Sequence, residues 1–281
     1  MNVSKLNKSR NMLYPLESTI KDMLGHLHPN KTPDLDIIEW ASPIPYFGNP
    51  TCSHVATVGL NPSNREFVDA GGRELSSDHR RFHTLSSLVL ESWDKASHRD
   101  LKLIIDSCTE YFFRNPYDGW FKTLDKLIRG TNTSFYSPLF QACHLDLIPF
   151  ATSKKWAHLT THQRQTLLEI SKNFLSDTIR SSSIKLLILN GKTVVENFSA
   201  MTNTKFEQQL HEEWSLPRRN ERPILGVSYK GEISRISGIE LENRITVIGY
   251  NHNIQSSFGV TNKVRTEIQS WITKMAEGIL N

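Results

Sequence analysis

The chain has few cysteines, no long apolar run and little charge imbalance, and each shortage argues against a class of function. Its three cysteines, Cys52, Cys108 and Cys143, are widely spaced and form no C-x-x-C pair. A disulfide framework, a zinc site and a four-cysteine iron–sulfur cluster are therefore unsupported, and three reduced thiols with no metal are expected. No apolar stretch approaches the length of a membrane span. The opening "MNVSKLNKSRNMLYPLEST" has no apolar core of the signal-peptide kind. Together these predict a cytoplasmic protein with no membrane partner. Lys and Arg number 33 against 29 Asp and Glu, a net charge of +4, which permits a polyanionic partner without demanding one. Internal repeats and low-complexity tracts are absent. No G-x-G-x-x-G follows the first strand-like run, which disfavours a nucleotide-binding Rossmann enzyme.

What is present reads as an ordinary globular chain. Of 281 residues, 38% are hydrophobic and 22% charged, enough to bury a substantial core. Helical periodicity marks "LESTIKDMLGHL" (16–27), "HRDLKLIIDSCTEYFF" (98–113), "DGWFKTLDKLI" (118–128), "QRQTLLEISKNFLSDTI" (163–179) and "TNKVRTEIQSWITKMAEGIL" (261–280), the last with Thr261 as an N-cap. Strand-like runs are "HVATVGL", "ACHLDLIPF", "IKLLILNG", "RPILGVSY" and "RITVIGY". Their alternation with helices predicts an α/β fold: three layers around a central, mostly parallel sheet of four to five strands. One domain is expected over 1–281, with 1–35 as a helical N-terminal extension. "SLPRRNERP" (Ser215 to Pro223) reads as a basic surface loop.

Three strand-like runs end in chemically capable sequence. "HVATVGL" breaks into Asn61-Pro62-Ser63, "ACHLDLIPFATSKKW" carries His144 and Asp146, and "RITVIGY" leads into "NHNIQSSFGV". In open α/β sheets ligands bind beyond the carboxyl ends of the strands. Asn61, Asp146 and His252 are thus expected to share one crevice. Arg80, Arg81 and the "SKK" of Ser153 to Lys155 fall in loops able to flank it. Each has a plain alternative: Asn-Pro is a common turn former, His252 suits a surface loop, Phe82 suits a core, and a buried Asp146 could cap a loop or pair with Arg80 or Arg81.

Over roughly Ser42 to Ser257 the order of features resembles the uracil-DNA glycosylase superfamily. "SPIPYFGNPTCSHVATVGLNPS" is similar to the approach to its first motif, a strand ending Gly-x-Asn/Asp-Pro. "IKLLILNGKTV" is similar to a later strand and turn, and "NHNIQSS" to the His-led loop after the final strand. His252 is followed by Asn-Ile-Gln where the family has Pro-Ser-Pro. The resemblance implies that a base is flipped out of DNA and its N-glycosidic bond hydrolysed, without a cofactor, by a monomer. It implies that Asn61 positions the attacking water and that His252 hydrogen-bonds the O2 of the departing base. Phe82 in "RRFHTLSS" would stack on that base. Arg80, Arg81, Lys154, Gln255 and Ser256 would contact DNA.

Two positions bear on which base is taken. Where uracil enzymes carry a tyrosine that blocks C5 of the pyrimidine, this chain has Ser63. Where they carry the asparagine that reads the pyrimidine edge, it has Asp146. A carboxylate repels O4 of uracil but accepts from N4 of cytosine, and when protonated it would also donate to N3. A cytosine bulky at C5 is expected, as in the resembling bacterial antiphage branch that excises glucosylated hydroxymethylcytosine. A housekeeping enzyme for uracil or mismatched thymine, and a silent module binding modified DNA, stay open.

Overall fold

The computed structural model describes residues 16–27, 34–139, 141–218, 221–255 and 259–280. The chain divides into two compact units, each built from three stretches. The first holds the residues up to Asn49, Leu60–Pro116 and Asp146–Ser182; the second holds Pro50–Gly59, Tyr117–Leu145 and the residues from Ser183 onward. The fold class is α/β, as the alternating pattern predicts.

A six-stranded sheet has the order β2-β1-β3-β6-β5-β4. Its strands are β1 (Val55–Gly59), β2 (Ala142–Asp146), β3 (Leu186–Asn190), β4 (Glu207–Arg218), β5 (Glu221–Ile236) and β6 (Ile239–Tyr250). β1 and β3 run parallel, as do β3 and β6. Every residue of β1, β2 and β3 is buried, which is why these strands read as continuous apolar runs. β1 and β2 are tied by a hydrogen bond of 2.7 Å between Thr57 Oγ1 and His144 Nδ1.

Two antiparallel strands take the sheet beyond the four to five expected. β5 pairs with β6, and β4 with β5. The stretch expected as a loop, 215–223, instead supplies the end of β4 and the start of β5. Its polar composition hides the strand: of β4 only His211, Trp214 and Leu216 are buried. β4 is an edge strand, where Pro217 withholds no inner ladder bond.

Helices α4 (Asp118–Ile128), α6 (Lys192–Thr202) and α7 (Asn262–Leu280) belong to the second unit. A side chain at Gly226 would collide with Trp214, and one at Gly231 with Phe206. These glycines are five residues apart on an unbroken stretch of β5, so they face opposite sides. On one side Trp271 of α7 meets Trp214 edge-on; on the other Phe198 of α6 stacks on Phe206. Helices cover both faces, giving three layers. Thr261 caps α7, accepting from the Val264 N–H at 3.2 Å.

In the first unit, α1 covers residues 16–26, within the expected extension, and α2 is the single turn Leu85–Leu88; 1–15 and 28–33 lie outside the described residues. α3 (His98–Thr109) and α5 (Thr161–Arg180) each begin at a reciprocal capping box, Ser97 with Asp100 and Thr160 with Gln163. Among the described residues no helix is long and apolar enough to cross a membrane.

Candidate active site

The chain leaves β1 through Leu60 and turns sharply at Pro62. Ser63 caps a single 3-10 turn, Asn64–Glu66, accepting from the Arg65 N–H at 3.2 Å. Phe67 N–H closes the turn on the Asn64 carbonyl at 2.9 Å. Beyond β2, the Ile148 N–H donates to the Leu60 carbonyl at 3.0 Å, so the segments leaving the two strands are joined.

This junction fixes Asn61. Its Nδ2 donates to Thr152 Oγ1 at 3.0 Å, to the Pro62 carbonyl at 3.2 Å and, more weakly, to the Phe150 carbonyl at 3.5 Å. Thr152 in turn donates to the Lys154 carbonyl at 2.7 Å, so its hydroxyl must accept from Asn61. The amide nitrogen is thereby committed, while Asn61 Oδ1 accepts nothing from any described residue. A half-buried acceptor in a fixed orientation is what a water needs to be held by its hydrogen.

Phe82 is only 1% exposed. It stacks on Tyr111 with centroids 5.1 Å apart and planes 12° apart, and Phe47 meets both rings edge-on. The core placement weighed for Phe82 is thus where it lies, with one face against a tyrosine. Asp146, at the end of β2, is also buried.

The reading from sequence missed Glu66. Its carboxyl is 3% exposed and accepts the Tyr111 hydroxyl proton at 2.8 Å on Oε2. Burial pushes its pKa up to about 8, against the opposing pull of Tyr111 and Arg81 and with a further push from the Asp146 carboxylate. At neutral pH Glu66 is therefore mostly a neutral acid near an acidic neighbour. Nothing in "NREF" signals this, because a Glu in a charged turn normally faces water; the signal lies in Tyr111, distant in sequence.

The basic residues part ways. Arg81 is turned inward: its guanidinium donates to the carbonyls of Arg65 at 2.8 Å and Asn115 at 2.9 Å and lies 3.9 Å from Glu66. Lys154 pairs with Asp36 at 3.0 Å while remaining exposed. Arg80 makes no ion pair among the described residues and lines a surface depression.

His252 and Gln255 belong to the second unit. His252 is buried, and its Nε2–H donates to the Trp214 carbonyl at 2.7 Å. Burial lowers its pKa, with the Trp214 bond opposing. The ring is thus neutral, with Nδ1 left as an acceptor. Gln255 Oε1 accepts from Asn190 Nδ2 at 2.8 Å, at the end of β3. Its own Nε2 is buried and makes no hydrogen bond to any described residue. Ser256 lies outside the described residues. No protein-family model and no curated protein matches this chain.

Proposed function

We propose that the chain is a DNA glycosylase that flips out a cytosine enlarged at C5, as in glucosylated hydroxymethylcytosine of phage DNA, and hydrolyses its N-glycosidic bond to leave an abasic site. The observation that carries this reading is Asn61: an amide held through its nitrogen just after a buried parallel strand, its carbonyl oxygen engaged by no described residue. An amide cannot deprotonate water, so it suits a reaction in which the C1′–N1 bond breaks early. That bond's electron pair leaves with the base, water bonds to C1′, and the water's proton passes to solvent. Asn61 then only holds and orients the nucleophile.

Asp146 supports the choice of cytosine, as an acceptor for the N4 amino group. A base offering N4–H₂ donates to a carboxylate; one offering O4 sets two acceptors against each other, a difference of about 1–3 kcal/mol. Glu66, neutral at physiological pH, supplies this unit with a buried carboxylic acid able to give a proton to a leaving base. Ser63 is small, exposed and occupied with its cap, so it supports an unobstructed C5 side.

His252 favours a second reading, a module that binds modified DNA without cutting it. Its N–H is spent on the Trp214 carbonyl, and stabilising O2 of a departing base would require that bond to be given up. One experiment separates the two. The protein is incubated with oligonucleotides carrying uracil, cytosine, hydroxymethylcytosine or its glucosylated form, and alkali-labile sites and binding are both scored. Abasic sites in the glucosylated substrate support the glycosylase; retained binding with no strand lability supports the module.

A further inference from the structure

We infer that the depression bounded by Ser77, Asp78, Arg80, Arg114 and Asn115 is a phosphate-binding site, with Arg80 and Arg114 as its two claws. The inference rests on the glycosylase reading only for the source of the phosphate, a DNA backbone. The depression has a volume of about 450 Å³, ample for one phosphate group with its attached sugars reaching into solvent. All five residues lie in the first unit.

The walls are fastened together independently of any ligand. Asn115 Nδ2 donates to the His79 carbonyl at 2.7 Å, and the Asn115 carbonyl accepts from Arg81 at 2.9 Å. Loop 77–81 and residues 114–115 therefore form one rigid rim. Neither Arg80 nor Arg114 pairs with an acid among the described residues. Two arginines lining one depression could each offer a planar fork to an oxyanion, the task in which arginine outdoes lysine. Asp78 also lines the depression but forms no ion pair with either within the described residues, and it acts as a brake on anion affinity.

A buried neighbour registers the charge of both arginines. His83 is 7% exposed, with Nδ1 sharing a hydrogen bond with Ser87 Oγ at 3.2 Å. Burial first, then the charges of Arg80 and Arg114, push its pKa down to about 4, with Asp100 opposing. A phosphate seated between the arginines would cancel part of that positive field, so His83 should then take up a proton more easily.

His83 is the reporter for the test. The imidazole resonances of the full chain are titrated by NMR alone, with inorganic phosphate, and with a short single-stranded oligonucleotide. The expected result is an upward shift of the His83 pKa with both additions. Arg114→Ala should raise the His83 pKa without any addition and abolish the response to both. Asp78→Asn should tighten oligonucleotide binding, and Arg114→Ala should weaken it on all sequences and reduce the salt slope by about one counterion. A response to inorganic phosphate alone overturns the DNA source and leaves a site for small phosphorylated compounds. No response to either addition, with Arg114→Ala binding DNA like the parent, overturns the site. Base release can be scored on the same samples: excision without a His83 response defeats this inference alone, and a His83 response without excision defeats the glycosylase reading alone.

Discussion

Tyr111 gives its phenolic hydrogen bond to Glu66 at 2.8 Å, and the same ring stacks against Phe82. One tyrosine thus joins the buried acid of the turn after β1 to the core aromatic that the family resemblance would set against a flipped base. A hydrogen bond to the ionised carboxyl favours ionisation, yet burial outweighs it and Glu66 stays protonated to about pH 8.

The stability of the protein should record that proton. Glu66 has a folded pKa of about 8 against an ordinary value of 4.5. Between those values the unfolded chain releases a proton that the folded chain keeps. The stability owed to Glu66 is complete below about 4.5, declines as pH rises, and is gone above about 8, with a limiting slope of about 1.4 kcal/mol per pH unit. Glu66→Gln lacks this titration. Denaturant melts of parent and variant from pH 5 to 9 should therefore diverge in favour of the variant as pH rises. Curves that stay parallel would show that Glu66 holds no raised pKa.

Asn61→Ala should lose about a hundredfold or more in turnover while DNA binding persists, because it removes a positioned group and not a phosphate contact. Thr152→Val should act more gently, since it leaves Asn61 in place and removes the 3.0 Å acceptor that orients the amide, together with the hydroxyl's 2.7 Å bond to the Lys154 carbonyl. A drop of about two- to tenfold in kcat with KM unchanged is expected, the worth of one hydrogen bond. Single-turnover kinetics on the preferred substrate check both. Full activity of Asn61→Ala removes the residue from the mechanism.

The central strands and the turn after the first of them were legible in the sequence, because full burial writes an unbroken apolar run. "VATVG", "ACHLD" and "LLILN" could hardly be anything else, and Asn-Pro after the first announced the turn. β4 was not legible, since an edge strand needs only a few inward side chains and the pairing to β5 supplies the rest. Glu66 and the Arg80–Arg114 pair were hidden for a related reason. Burial and the meeting of two arginines are properties of spatial neighbours, which a charged residue's own surroundings in sequence do not reveal. His252 was visible as a residue, but its bond to Trp214 depends on a strand that composition concealed.

That bond makes its own prediction. With Nε2–H held by the Trp214 carbonyl and the ring buried, nitrogen-detected NMR should show His252 as the neutral Nε2–H tautomer at pH 7. Its protonation should occur below the ordinary histidine value of 6.5. A mixed or Nδ1–H tautomer would free the donor for a base and remove the main support for the non-catalytic reading.

Substrate choice is the sharpest discriminator, and it sets Asp146 against Ser63. Asp146→Asn exchanges a carboxylate for an amide that satisfies N3–H and O4 together, so preference should move from cytosine-type toward uracil-type bases. One edge contact of this kind is worth about 1–3 kcal/mol, or roughly ten- to a hundredfold in relative kcat/KM. Ser63→Tyr should leave that edge untouched and abolish action on the glucosylated base, because the ring occupies the space beside C5. It should spare plain cytosine to the extent that the parent acts on it. Loss of the Ser63 cap on Arg65 N–H is a separate cost, about 1 kcal/mol of stability, and Ser63→Ala isolates it. Release of each base by the parent and the three variants is compared under one condition. If the parent prefers plain uracil and Asp146→Asn changes nothing, Asp146 does not read the base and the cytosine assignment falls. If Ser63→Ala loses the glucosylated substrate as fully as Ser63→Tyr, the cap rather than the open C5 side governs that position.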